Sequence, residues 1–135
     1  MKPSHHLIEL PERTDPRGSL VFAQDGDHLP FPVRRFFALY GVAPDAMRGG
    51  HAHRRQHQLL VVFGGALKIT VDDGQTRATL TLDRPTLALH ALPMLWLELT
   101  DFTPGAVCLC LTSDVYSEQD YVRDREEFVR LTGKR

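Results

Sequence analysis

Nine short runs rich in Val, Leu, Ile, Phe and Thr recur along the chain, each ended within a few residues by a turn signal. They are LIEL (7–10), GSLVFAQ (18–24), VRRFFALY (33–40), HQLLVVF (57–63), ALKITVDD (66–73), RATLTLD (77–83), TLALHAL (86–92), LWLELTDF (95–102) and AVCLCLTS (106–113). DPRG, DGDHLP, APDAMRGG, GG, DDGQ, DRP, LP and TPG separate them. This spacing of strands and turn residues predicts an all-β, antiparallel sandwich or barrel. LKITVDDG and TRATLTL alternate apolar with polar residues, and DDGQ between them reads as a hairpin turn. At 135 residues the whole chain, 1–135, is expected to be one domain, long enough to bury a core.

The C-terminal end changes character. In SEQDYVRDREEFVRLTG (117–133), Ser117 and Asp120 stand in capping-box spacing and Gly133 closes the segment, which predicts a short helix over 117–131. Tyr121, Phe128 and Leu131 would share its apolar face. The net charge of −1 gives no bulk pull toward nucleic acid or a membrane surface. No apolar run approaches the ~20 residues of a membrane span, and MKPSHHLIEL is no signal peptide, so the chain reads as cytoplasmic. Cys108 and Cys110 fall on one face of a strand, a spacing that rarely reaches disulfide geometry. They read as a CxC metal pair or, more simply, as two buried thiols acting as small hydrophobes.

Chemistry concentrates in RGGHAHRRQHQ, Arg48 to Gln58, with three histidines, three arginines and two glycines in eleven residues. If HQLLVVF is a strand, the preceding HAH is extended, and His51 and His53 point to one side of it. The pair is compatible with a metal site, a catalytic base or a solvated loop. It resembles the first motif of cupin jelly rolls, with Gln58 where that motif has a carboxylate and Gly65 at its final glycine. The second cupin motif ends in a histidine where this chain has Leu97. Two imidazoles and a neutral amide make a poor site for a divalent metal, which normally takes three or more protein ligands. No metal is therefore expected.

DPRGSL, LPFPVRRFF, RGGHAHRRQHQLLVVFGG, VDDG, LDRPTLAL, PMLW and LTSDVYSEQDYVRDREEF, in this order, resemble the nucleotide-sugar 3,4-ketoisomerase family. This is the WxcM-like C-terminal domain, an RmlC-like cupin acting on dTDP-4-keto-6-deoxyglucose. The resemblance covers roughly residues 14 to 130. It implies an antiparallel jelly-roll barrel, no cofactor, a dTDP-linked sugar substrate and a homodimer that exchanges N-terminal strands, here within residues 1–13.

Such a reaction suits two histidines without a metal. An imidazole near neutrality can take the proton from C3, beside the C4 ketone, and return a proton to C4 through an enediol. His51 is the first-choice base, His53 its partner or second proton carrier, and Arg48 the cation beside the enediolate. Diphosphate calls for arginines; Arg17, Arg34 and Arg35 lie in family-like segments, and Arg34 and Arg35 alternate, so only one faces inward. Trp96 reads as a stacking platform for base or sugar, or else as core. His90 stands where the family has an aromatic residue and is taken as a substrate contact. Two departures bear on catalysis. Phe37 replaces the family's active-site tyrosine, with Tyr40 on the opposite face, and Leu97 replaces a histidine after Trp96. A lost relay hydroxyl predicts a rate lower by roughly one to three decades. A non-catalytic nucleotide-sugar-binding cupin and a metal-dependent cupin dioxygenase are the alternatives.

Overall fold

The computed structural model describes residues 3–133. All nine apolar runs are strands, and three further strands come from segments without an apolar run. In chain order the strands are β1 (His5–Glu9), β2 (Glu12–Asp15), β3 (Gly18–Val21), β4 (Arg35–Leu39), β5 (Arg48–His53), β6 (Gln58–Phe63), β7 (Leu67–Asp72), β8 (Arg77–Leu82), β9 (Leu87–Ala91), β10 (Trp96–Thr100), β11 (Val107–Thr112) and β12 (Tyr121–Val122). Two five-stranded antiparallel sheets result, ordered β1-β9-β6-β11-β4 and β12-β5-β10-β7-β8, with β2 and β3 forming a separate ribbon. The expected jelly-roll strands thus form a sandwich rather than a closed barrel.

Strand alternation decides what lies between the sheets. Leu60 and Val62 of β6, Ile69 and Val71 of β7, Leu97 and Leu99 of β10, and Cys108 and Cys110 of β11 belong to one buried cluster. The two thiols sit 3.9 Å apart, free and buried, as small apolar side chains of that core. The opposite residues of β6, Leu59 and Val61, pack outward under Leu10, Phe31 and neighbouring apolar residues of the N-terminal third. With cover on both faces β6 is buried almost throughout, which is why it reads as an unbroken apolar run. The DDGQ hairpin forms as expected: β7 pairs with β8, and the Asp73 carboxylate accepts the backbone N–H of Gln75 and Thr76.

The C-terminal helix is shorter than expected. It spans α1 (Arg125–Thr132), opens on Asp124, whose side chain accepts the Glu126 N–H, and closes at Gly133 in the left-handed region. Ser117 makes no capping hydrogen bond, and 118–120 form one turn of 3-10 helix. Asp120 is unavailable as a capping partner because it is buried and already accepts hydrogen bonds from the 53–56 segment. The next two residues are drawn into the sheet edge, Tyr121 opposite His53 and Val122 opposite Ala52. Phe128 of α1 packs on the outer face against Trp96, Ala52 and Val122, and Arg125 pairs with the buried Asp72 carboxylate of β7.

At the other end β1 pairs with β9 of its own chain, His6 opposite His90. Met1 and Lys2, the first part of the segment expected to exchange, lie outside the described residues.

Candidate active site

Two glycines shape the strand that carries the histidines. The pairing of β5 with β10 runs Leu99 to Arg48, Glu98 to Gly49, then Leu97 to His51, leaving Gly50 as an extra residue in a bulge. Gly49 and Gly50 have φ of 85° and 77°, a region L residues avoid. A Cβ on Gly49 would lie 2.9 Å from the Leu97 carbonyl oxygen. The bulge lets β5 approach β10 closely and turns both Arg48 and His51 toward one cavity.

That cavity, about 410 Å³ and open to solvent, lies at one end of the space between the sheets. One wall is apolar: Phe37 and Leu39 of β4, Leu60 of β6, Leu97 and Leu99 of β10, and Cys110 of β11. The other is polar: Arg48, His51, Gln58, Tyr121 and Arg123. An apolar body with a few converging polar groups is the usual composition of a small-molecule site.

His51 is half-buried, and its pKa is lowered to about 4, first by burial and then by repulsion from His53 and Arg123. It is a neutral imidazole at physiological pH, the form that accepts a proton. His53 lies deeper. Its ring is 5.2 Å from that of His51, but it does not border the cavity. Nδ1 lies 3.1 Å from Asp120 Oδ2 and Nε2 lies 3.4 Å from the Gln56 amide nitrogen. With Asp120 as acceptor the proton sits on Nδ1, and Nε2 accepts from Gln56. Burial lowers the His53 pKa against the pull of Asp120. Both nitrogens being engaged, His53 suits a supporting role. The same engagement withholds it from a metal, and among the described residues no three His, Cys, Asp or Glu side chains cluster in a ligand arrangement.

β12 and the residue that follows it supply two groups that the sequence reading placed on a helix. Its pairing with β5 lays Tyr121 beside His53, and Arg123, just past the strand, lines the cavity with His51. The Tyr121 ring is 4.9 Å from His51 and 4.3 Å from His53. The Arg123 guanidinium lies 4.1 Å from the Tyr121 ring centre. It is held by Glu118, Nε to Oε2 at 2.6 Å and Nη2 to Oε1 at 3.0 Å. That guanidinium, with the Tyr116 hydroxyl, holds the Glu118 carboxyl down to about 2. The available signal was parity: in D-Y-V-R, strand alternation puts Tyr121 and Arg123 on one side and apolar Val122 on the other.

The remaining expected residues divide. Arg35 faces inward, as the alternation with Arg34 requires. Its guanidinium lies 5.2 Å from the Phe37 ring, and buried Nε and Nη2 have no hydrogen-bond partner among the described residues. Trp96 is not at the cavity. On β10 the odd-numbered Leu97 and Leu99 face inward, so Trp96 packs outward against Phe128 and donates Nε1–H to Glu98. His90 is also on an outer face, because Leu89 and Ala91 take the inward positions of β9. It shares a 2.9 Å hydrogen bond with His57 and lies against Phe31. Arg17 sits in the exposed turn of the β2–β3 ribbon, paired with Asp15 at 2.6 Å and apart from its own chain's cavity.

The chain is similar to known proteins over nearly its whole length. It is 34% identical over 128 residues to the TDP-4-oxo-6-deoxy-alpha-D-glucose-3,4-oxoisomerase of Aneurinibacillus thermoaerophilus, covering 95% of this chain and 92% of that one. A 3,4-ketoisomerase from Helicobacter canadensis superposes with a TM-score of 0.92 at 33% identity, over 96% of this chain and 98% of that chain. The 3,4-ketoisomerase QdtA from Thermoanaerobacterium thermosaccharolyticum, solved as a histidine-to-asparagine mutant with TDP-4-keto-6-deoxyglucose, gives 0.95 at 30% identity, over 100% and 98%. The model of the FdtA family (WxcM-like, C-terminal) matches residues 3–133, and the chain belongs to that family.

Proposed function

We propose that this protein is a cofactor-independent 3,4-ketoisomerase of a dTDP-linked 4-keto-6-deoxyhexose, with His51 as the base. The observation that carries the reading is a neutral imidazole on the wall of a cavity whose polar side also holds Arg48 and Arg123. His51 removes the C3 proton, whose acidity comes from the adjacent C4 ketone, and the electron pair moves onto O4. Arg48 and Arg123 flank the growing negative charge and the diphosphate. Arg35, whose Nε and Nη2 are buried without a hydrogen-bond partner among the described residues, is a further cation facing inward. Return of the proton to C4 leaves the carbonyl at C3, with no net oxidation. The apolar wall of Phe37, Leu60 and Leu97 suits the deoxygenated edge of the sugar.

We further propose a homodimer exchanging its N-terminal strands. The β1–β9 contact is one that β1 of a second copy can make equally, with Pro11 in the link to β2 as the hinge, and the ribbon that follows β1 is exposed on nearly every residue. Light scattering on the intact chain and on one lacking residues 1–12 checks both points.

The functional test is incubation with dTDP-4-keto-6-deoxyglucose in deuterated water, followed by NMR. The expected result is a 3-keto product with deuterium at C4. Neither product nor exchange would favour a non-catalytic nucleotide-sugar-binding role. The pH profile carries a second expectation. His51 is active when unprotonated, and its free-enzyme pKa is about 4. The value of kcat/KM should therefore hold from neutrality down to about pH 5 and fall as pH drops through 4. An acid limb at the ordinary histidine value would point to a different base.

A further inference from the structure

Isomerisation moves two protons, and His51 accounts for one. As the C3–H bond breaks toward His51, O4 gains an electron pair and needs a proton to become the enediol hydroxyl. When O3–H then gives up its proton, the O3 electrons form the new carbonyl, the carbon–carbon double bond takes the His51 proton at C4, and the balance closes. The second carrier must give a proton at O4 and accept one from O3.

Few groups around the cavity do both. Arg48 and Arg123 keep their protons, and the Gln58 amide neither gains nor loses one at neutral pH. Phe37 has no hydroxyl. The Cys110 thiol is pushed well up by its hydrogen bond with Cys108 and by burial, and His53 is off the wall with both nitrogens engaged. Tyr121 borders the cavity, and its hydroxyl makes no hydrogen bond among the described residues. Its ring is pinned between the two imidazoles and the Arg123 guanidinium. A phenol both donates and accepts.

We propose that the Tyr121 hydroxyl is the second proton carrier, protonating O4 and taking the proton from O3. The assignment rests on the ketoisomerase reading and supplies the hydroxyl that Phe37 lacks.

The test compares the wild type with Tyr121→Phe, which removes one oxygen and keeps the ring. Three quantities are measured on the full chain: turnover of dTDP-4-keto-6-deoxyglucose, deuterium exchange at C3 of unreacted substrate, and dTDP affinity. Turnover should fall roughly 100-fold, the usual scale for losing a positioned acid–base group. C3 exchange should persist and outpace product formation by at least about tenfold, because His51 still enolises the substrate. Affinity for dTDP should be unchanged. Undiminished turnover in Tyr121→Phe overturns the assignment. So does loss of exchange in parallel with turnover, or loss of dTDP binding, since either makes Tyr121 a prop for the site. A wild type that leaves the substrate untouched overturns the ketoisomerase reading and this assignment with it.

Discussion

His51→Asn should reduce ketoisomerase turnover by roughly 10²–10⁴-fold and leave dTDP affinity nearly unchanged. Asparagine keeps much of the shape and some of the hydrogen bonding of histidine but carries no proton at neutral pH. The arginines proposed to meet the diphosphate are untouched. The sharper measurement is isotopic: deuterium from solvent should enter the sugar with the wild type and not with His51→Asn. The matching His53→Asn change should leave exchange in place, because that ring lies behind the wall, tied to Asp120 and Gln56. If exchange survives in His51→Asn and vanishes in His53→Asn, the two histidines have the reverse roles.

Asp120→Ala should be the most damaging change outside the cavity. The buried Asp120 carboxylate accepts the backbone N–H of Arg55 at 2.7 Å, the backbone N–H of Gln56 at 3.2 Å, and His53 Nδ1 at 3.1 Å. Alanine strips three donors, two of them buried, of their acceptor at once. Losses of this kind cost about 3–5 kcal/mol, which in a domain of this size corresponds to a Tm lowered by roughly 10–20 °C. Thermal unfolding followed by circular dichroism measures it. Asp120→Asn retains one acceptor oxygen and should lie between alanine and the wild type. A drop of only a degree or two in the alanine variant would mean that water replaces the carboxylate and that the contact is dispensable.

The sheets were legible because most strands have at least one apolar face, and an apolar run ended by a turn signal is what such a strand looks like. The three strands without such a run lack that signature for separate reasons. ERTD of β2 touches no core, RGGHAH of β5 is glycine-rich, and β12 is two residues long inside a charged segment. His51 and its sequence neighbour Arg48 do line one cavity, while alternation said only that one of Arg34 and Arg35 faces inward. Alternation states only that neighbours differ, however. In LWLEL and LALHA each face carries at least one buried apolar residue, so neither pattern says which face looks into the cleft. Trp96, read as platform or core, and His90, taken as a substrate contact, both lie away from the cavity wall. Depth is equally invisible: His51 and His53 share a side of β5, yet only His51 reaches the wall. The helix start was misjudged because Asp120 has capping-box spacing in the chain, while its carboxylate is consumed by residues 64 to 67 positions earlier.

The chain has a single tryptophan, and its position makes it an optical reporter of one event. Trp96 is 4% exposed, its ring 5.4 Å from that of Phe128, with the Arg125 guanidinium 5.2 Å away. Both neighbours belong to α1, and the cavity lined by Leu97 and Leu99 opens on the far side of the strand. Intrinsic emission will redden when the helix lifts off the sheet and will stay constant as ligand fills the cleft. A titration read by this fluorophore will therefore look silent at saturation, and occupancy has to be followed by calorimetry or NMR. For the same reason, a denaturation curve recorded at its emission wavelength follows the seating of the C-terminal helix.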